Sequence, residues 1–167
     1  MTVKMANNEF PVLDGIAPSW ADIKVTATPT GAPLLEMKDI SAVNSSRTVE
    51  VGAKKAGGRV VKRTTGEASQ DASMTVYREG FQKMLRGLKS VAPLRGNTRI
   101  ISVVHFDVSI QHTPPGSVEI YERRLKGCRL LGDALNSAEG TDADTVEITL
   151  NPIEIVDIID GEEVALL

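Results

Sequence analysis

Strict two-residue alternation of apolar and polar side chains is what most restricts the fold of this chain. Val104, Phe106, Val108 and Ile110 alternate with His105, Asp107 and Ser109. Successive side chains of a strand point to opposite faces, so this run predicts a half-buried strand over Ile100–Gln111. The signature recurs where Ile23, Val25 and Ala27 flank Lys24 and Thr26, and where Val146, Ile148 and Leu150 flank Glu147 and Thr149. Segments that each bury one face must be stacked in layers. Aromatic residues are only 4% of the 167, so Val, Ile, Leu and Ala fill the interior, which suits β-structure.

Further strands are expected from Leu34 to about Val43, over Arg47–Val51 and over Ser73–Tyr77. Pro114-Pro115-Gly116 is a turn signal, and Val118–Arg129 reads as the strand returning from it. A last strand covers Ile153–Ile159, and its apolar phase slips near Val156, as a β-bulge would cause. Residues 1–21 read as an irregular arm and 132–145 as a polar loop. One helix is expected, about Arg78 to Val91. Phe81, Met84, Leu85 and Leu88 form its apolar stripe, and Pro93 stops it. Gly80 and Gly87 each cost about 1 kcal/mol in a helix interior, which points to close packing against a sheet. The whole reads as a single domain, mainly β (α+β): an antiparallel β-sandwich or partly open barrel with one flanking α-helix.

Residues 52–72 depart from this pattern. Gly52, Gly57, Gly58 and Gly66 are mixed with basic and small polar residues, which reads as a long, poorly self-burying hairpin or loop, with Arg59–Thr65 extended. A connection of that length inside a compact domain is functional or disordered. It carries Lys54, Lys55, Arg59, Lys62 and Arg63 with no acid among them. From Leu130 onward there are ten acids and no base, although the net charge is only −3. Such asymmetry signals either a polyanionic partner or self-association of opposite faces.

Signals for chemistry are thin. His105 and His112 lie on opposite faces of one predicted strand and cannot share a metal. Cys128 allows no internal disulfide, has no partner histidine, and reads as a small half-buried side chain. Asp142-Ala143-Asp144 reads as a solvated loop rather than a cation site. Gly57-Gly58 lacks the Lys-Ser/Thr of a phosphate loop, and no serine-nucleophile elbow or zinc-protease helix occurs. No catalytic residue, metal or cofactor is expected. No apolar run reaches the roughly 18 residues that span a bilayer, and Met1–Asn8 has no signal-peptide stretch, so synthesis in the cytosol is expected. Bases on 54–63 would suit a nucleic-acid-binding module, but base-stacking binders also need aromatics, and this segment has none.

Three blocks, taken in order, resemble the tail tube proteins of tailed phages and related contractile devices. Asp14-Gly15-Ile16-Ala17-Pro18-Ser19-Trp20-Ala21-Asp22-Ile23 looks like the lead-in segment of some phage tube subunits. Arg63-Thr64-Thr65-Gly66, then Ala72-Ser73-Met74-Thr75-Val76-Tyr77 and the helix through Leu88, is the most specific block. Leu125-Lys126-Gly127-Cys128-Arg129-Leu130-Leu131-Gly132-Asp133, an acidic loop and Val146-Glu147-Ile148 resemble the strand that closes those proteins. The basic segment falls where that family places its long inter-ring loop.

The resemblance implies six-membered rings stacked head to tail into a tube, an architecture shared with the type VI secretion tube protein. The tube lies in a virion tail assembled in the host cytoplasm, with a contractile tail favoured. The implied partners are copies of itself, sheath, baseplate and tape-measure proteins, with DNA passing through the lumen unbound. On that basis Lys54, Lys55, Arg59, Lys62 and Arg63 are expected at inter-ring contacts. A lumen holds water and DNA, so its wall must be polar. His105, Asp107 and Ser109 on one strand, and Glu147 and Thr149 on another, are the candidates, with ordinary solvent exposure as the alternative.

Overall fold

The computed structural model describes residues 23–113 and 119–166, without the side chains of Ile23 and Thr65. The expected 1–21 arm, the Pro114-Pro115-Gly116 turn and the beginning of the strand after it lie outside the described residues. In chain order the strands are β1 (Ile23–Pro29), β2 (Leu35–Met37), β3 (Ile40–Ala56), β4 (Arg59–Tyr77), β5 (Leu94–Arg95), β6 (Thr98–Arg99), β7 (Phe106–His112), β8 (Tyr121–Cys128), β9 (Leu130–Asn136), β10 (Thr145–Leu150), β11 (Glu154–Ile159) and β12 (Glu162–Val164). The only helix among the described residues, α1 (Arg78–Lys89), joins β4 to β5.

Two antiparallel sheets carry the fold and do not close into a barrel. One has six strands in the order β12-β11-β8-β7-β1-β2, and the other has four, β3-β4-β10-β9. Alternation determines which side chains meet between them. Val25, Ala27, Phe106, Val108, Leu125 and Ile155 face inward from the first sheet, and Met74, Val76, Val146 and Ile148 from the second. Each of these except Ala27 is worth about 1.5–3 kcal/mol when fully buried. The result is a β-sandwich with one flanking helix.

Several boundaries differ from expectation for local reasons. The strand expected over Leu34–Val43 is two strands, because the chain changes sheet at Lys38-Asp39: β2 pairs with β1, and β3 with β4. Arg47–Val51 is not a separate strand but part of the 17-residue β3. Ile100–His105 is not strand: Thr98–Arg99 turns back on Leu94–Arg95, and the regular ladder begins at Phe106. Residues 132–136, read as the start of a loop, belong instead to β9, which pairs along β10. The apolar slip at Val156 is not a bulge, since β11 keeps continuous register with β8 and Ile155 and Val156 are buried on successive positions. Cys128 is fully rather than half-buried.

On α1, Met84 and Leu88 are buried, and Phe81 and Leu85 half-buried. The helix stops at Lys89, short of Val91. The amides of Val91 and Ala92 donate to the carbonyls three residues back, Leu88 and Lys89, and Pro93 follows. Both helical glycines sit where the helix meets β2 and the link after it. A Cβ at Gly80 would lie 2.8 Å from the Asp39 Cβ and 3.0 Å from its carbonyl oxygen, whereas one at Gly87 would meet only the tip of Leu35.

Gly80→Ala is therefore expected to destabilise the fold by about 1–3 kcal/mol, as overpacking does, against the gain of about 1 kcal/mol that helix propensity alone forecasts. Gly87→Ala is expected to be near neutral, since the Leu35 side chain can rotate away. Thermal denaturation of the two variants distinguishes backbone contact from propensity.

Candidate assembly surfaces

The hairpin of β3 and β4 is longer than the sandwich that supports it. Inward-facing residues are at least half-buried as far as Val49 on β3 and Gln70 on β4, and every residue of 50–69 whose side chain is described is exposed. Of the two forms the sequence allowed, hairpin or loop, the structure has the hairpin: a two-stranded arm. Ala56 pairs with Arg59 across Gly57-Gly58, whose φ angles of 58° and 79° are the left-handed values a two-residue hairpin turn requires. The arm leaves the body at a bulge beside Gly66, where a Cβ would overlap the Glu50 carbonyl oxygen, so no other residue fits.

All five predicted bases sit on this arm and are exposed. Lys54 lies directly across from Lys62, and Ala53 from Arg63. None of the five forms an ion pair with a described residue. Like charges placed opposite one another on a ladder are destabilising. Among the described residues, the positive charge of the tip is therefore uncompensated.

Acidic groups collect at the other end of the same sheet. Tyr77, the last residue of β4, pairs with Thr145, and Thr145 with Asn136. The loop 137–144 therefore emerges at the end of the sheet opposite the tip. The 18 steps of β4 from Arg59 to Tyr77 correspond to about 60 Å of strand at ~3.3 Å per residue. Within this loop Asp144 accepts from Ser137 Oγ at 2.7 Å and lies 3.7 Å from Arg78, while Glu139 and Asp142 are exposed without an ion pair among the described residues.

The two sets of candidate lumen residues separate. Glu147 and Thr149 are exposed on the outer face of the four-stranded sheet, beside Asn44, Ser46, Asp71 and Ser73. Glu147 accepts from Asn136 Nδ2 at 3.0 Å. This face is small and polar, and over the body of the sheet it holds no lysine or arginine. The other set belongs to the six-stranded sheet. His105 is exposed just before β7, Asp107 accepts from the Gly127 amide at 2.9 Å, and Ser109 donates to Glu122 at 3.0 Å. Burial pushes the Glu122 carboxyl up, but hydrogen bonds from Arg124, Ser109 and Gln111 outweigh it and hold the pKa below the usual value. Lys24, Arg124 and Lys126 make that second face mixed in charge.

Among the described residues no three His, Cys, Asp or Glu side chains are grouped to hold a metal. Burial, with the nearby Asp107 charge, pushes the Cys128 thiol up to about 12, so it carries no thiolate at neutral pH.

Sequence reading missed the clamp that fastens the arm's base. Arg47 on β3 pairs with Asp157 and donates to the Ile155 carbonyl at 2.8 Å. Arg123 reaches the same carboxylate from β8 at 2.8 Å and donates to Ser45 at 3.2 Å. Gln70 on β4 donates to the Ile153 carbonyl at 2.9 Å and accepts from the Ile155 amide. The clue was an acid, Asp157, inside the apolar run Ile155-Val156-Asp157-Ile158-Ile159, a position that demands a partner.

No family model matches the sequence, and no curated protein does. Solved structures do. The chain is similar to one in the tube-terminating cap of the anti-feeding prophage, with a TM-score of 0.62 at 10% identity over 92% of this chain and 98% of that one. It is similar to one in the sheath–tube complex of the extracellular contractile injection system PVC, with a TM-score of 0.59 at 11% identity over 90% and 94%. A type six secretion system protein aligns with a TM-score of 0.50 at 8% identity over 86% and 90%. The likeness is one of fold: this chain has the tail tube protein fold.

A hydrogen bond from Arg123, followed by the charges of Arg123 and Arg47, holds the Asp157 carboxyl below its ordinary pKa despite partial burial. A carboxyl depressed in the folded state contributes stability above its unfolded value of about 3.9, which is lost as pH falls through the folded value. The wild type is therefore expected to lose this contribution only below about pH 4. Asp157→Asn, which leaves two arginines facing a neutral amide, is expected to cost about 1–3 kcal/mol at pH 7 and to flatten the acid limb of the stability curve. Denaturant titrations of both proteins between pH 7 and pH 2 measure this.

Proposed function

We propose that this chain is a non-enzymatic structural subunit of a phage-type tail tube, acting as one tail-tube domain in hexameric rings that stack head to tail. The observation that carries the reading is the separation of charge along one sheet: an unpaired cationic tip at one end and exposed acids at the other. A monomer so built is incomplete. Stacking copies in the same direction brings Lys54, Lys55, Arg59, Lys62 and Arg63 of one ring against Glu139 and Asp142 of the next. Exposed pairs are worth only about 0–1 kcal/mol each, but a ring repeats them and they select register.

Ring closure uses the borders of the four-stranded sheet. β3 and β9 are its edge strands, and each pairs on one side only among the described residues. Open edges invite pairing with another chain, and a heterologous contact closes into a ring when the rotation per subunit divides the circle. With those edges joined, one face of the sheet becomes the wall of a channel. Glu147 and Thr149, with Asn44, Ser46, Asp71 and Ser73, supply a polar, base-free wall, the surface that lets DNA pass without gripping it. His105, Asp107 and Ser109 then face away from the channel.

In this reading the lumen conducts DNA and houses a tape-measure protein, and the outside meets sheath and baseplate proteins. The subunit is made in the host cytoplasm and functions in the virion tail. A sheath–tube complex and a baseplate are among the assemblies that contain chains of this fold.

Negative-stain microscopy of the purified protein at high concentration is expected to show rings or tubes, and a strictly monomeric sample overturns the proposal. Lys54→Glu/Lys55→Glu/Lys62→Glu is expected to leave a folded subunit that forms no tubes, and tubes of normal length would refute the charge pairing. A gel shift at moderate salt separates the rival reading of a nucleic-acid-binding module: the tube subunit is expected to retard DNA little or not at all.

A further inference from the structure

The arm has two chemically different faces. On β3 the inward positions of the sandwich are Val43, Ser45, Arg47 and Val49, so the same face continues through Val51, Ala53 and Lys55. Their partners on β4 belong to that face as well. Ala68 pairs with Val49, Arg63 with Ala53 and Val60 with Lys55, and Val61 is the extra residue in the bulge beside Val60. The opposite face presents Thr48, Glu50, Gly52 and Lys54 with Ser69, Thr64 and Lys62. It is polar throughout, and it continues the polar outer face of the sheet.

Among the described residues, the covering of the inward face ends at the arm's base. Ala165 and Leu166 line a small crevice there together with Val49 and Ala68. Beyond that point Val51, Val60 and Val61 are 59%, 53% and 59% exposed. Three β-branched residues thus stand in water on the extension of a core face. Chain economy does not require them there, since a solvated ribbon is as well built from Thr.

We infer that this face of the arm, through Val51, Val60 and Val61, is a docking strip for a second copy of this chain, which supplies the covering layer that the subunit's own second sheet does not reach to provide. The inference rests on the tube reading and specifies which face of the arm makes the contact. Charge complementarity selects a copy of the chain as the occupant. The arm holds five bases against two acids, Glu50 and Glu67, and the chain carries its unpaired acidic loop at the opposite end of the same sheet. Lys55 and Arg63 border the apolar strip and are placed to meet those acids while the valines are covered.

The test measures the critical concentration for tube formation, by sedimentation and electron microscopy, at 0.1 M and at 1 M NaCl, where exposed charge pairs are screened. Val51→Thr/Val60→Thr/Val61→Thr keeps β-branching, so the arm retains its strand preference, and circular dichroism and melting temperature are expected to match the wild type. The variant's critical concentration is expected to rise at least tenfold, with the difference persisting at 1 M NaCl. If the wild type forms tubes and the variant forms them at the same concentration at both salts, the docking strip is wrong and the tube reading stands. If the wild type forms neither rings nor tubes at any concentration, the tube reading falls, and this inference with it.

Discussion

A strand pair that outruns the sheet packed against it has one face with nothing to cover it, and the rest of this molecule is arranged around that imbalance. β3 and β4 are 17 and 19 residues long, whereas no strand of the six-stranded sheet exceeds eight. Within the body, apolar burial between the sheets holds the pair. Past Val49 and Ala68, only its own ladder does. Isolated two-stranded ribbons are marginal in water, so the arm depends on its anchorage. The Arg47–Asp157–Arg123 clamp and the two Gln70 bonds supply it where the pair leaves the sandwich. Ion pairs are costly inside a core, but this one lies at the half-wet mouth between the sheets, where charge-assisted bonds fix a direction without full desolvation.

How much of this the sequence disclosed follows from which interactions are local. Val108, Ile110, Val146 and Ile148 alternate strictly, and their burial was readable without a structure. The stripe Met84–Leu88 was readable for the same reason. β9 was not, because Gly132-Asp133-Ala134 has no alternation, and its strand character comes from pairing with β10. The exchange of sheets at Lys38-Asp39 left only an imperfect pattern in a run that looked continuous. The arm's composition was visible as a basic, glycine-rich stretch. Its pairing as a regular ladder was not, since no burial pattern marks a ribbon exposed on both sides.

The candidate surfaces divide in the same way. Five bases clustered in sequence are clustered in space, because a hairpin keeps neighbours together. That the acidic loop 137–144 stands at the opposite end could not be read, since it depends on the register of Thr145 with Tyr77, 68 positions apart. The clamp joins residues 110 positions apart and was visible only as an acid out of place in an apolar run. Glu147 and Thr149 were equal candidates with His105, Asp107 and Ser109 until the strands were assigned to different sheets. Only one of those sheets has an outer face that is free of bases over its body.

In the proposed tube, lysines on the exposed ribbon would also guard the subunit against indiscriminate pairing before it assembles. β3 is an edge strand, and an exposed edge with Val51, Val60 and Val61 nearby is a template for indiscriminate pairing. Lys54 faces Lys62 across the ladder, so two arms meeting tip to tip bring four ammonium groups together. Repulsion blocks that encounter and leaves open the one in which an arm meets the acidic end of another copy. In the proposed tube, the same lysine pair would discriminate against the wrong neighbour while the apolar strip supplies contact area. Direction follows as well. There, a surface that repels itself and attracts the far end of its copy is satisfied by head-to-tail stacking, and the order of charges along one sheet would set the polarity of growth.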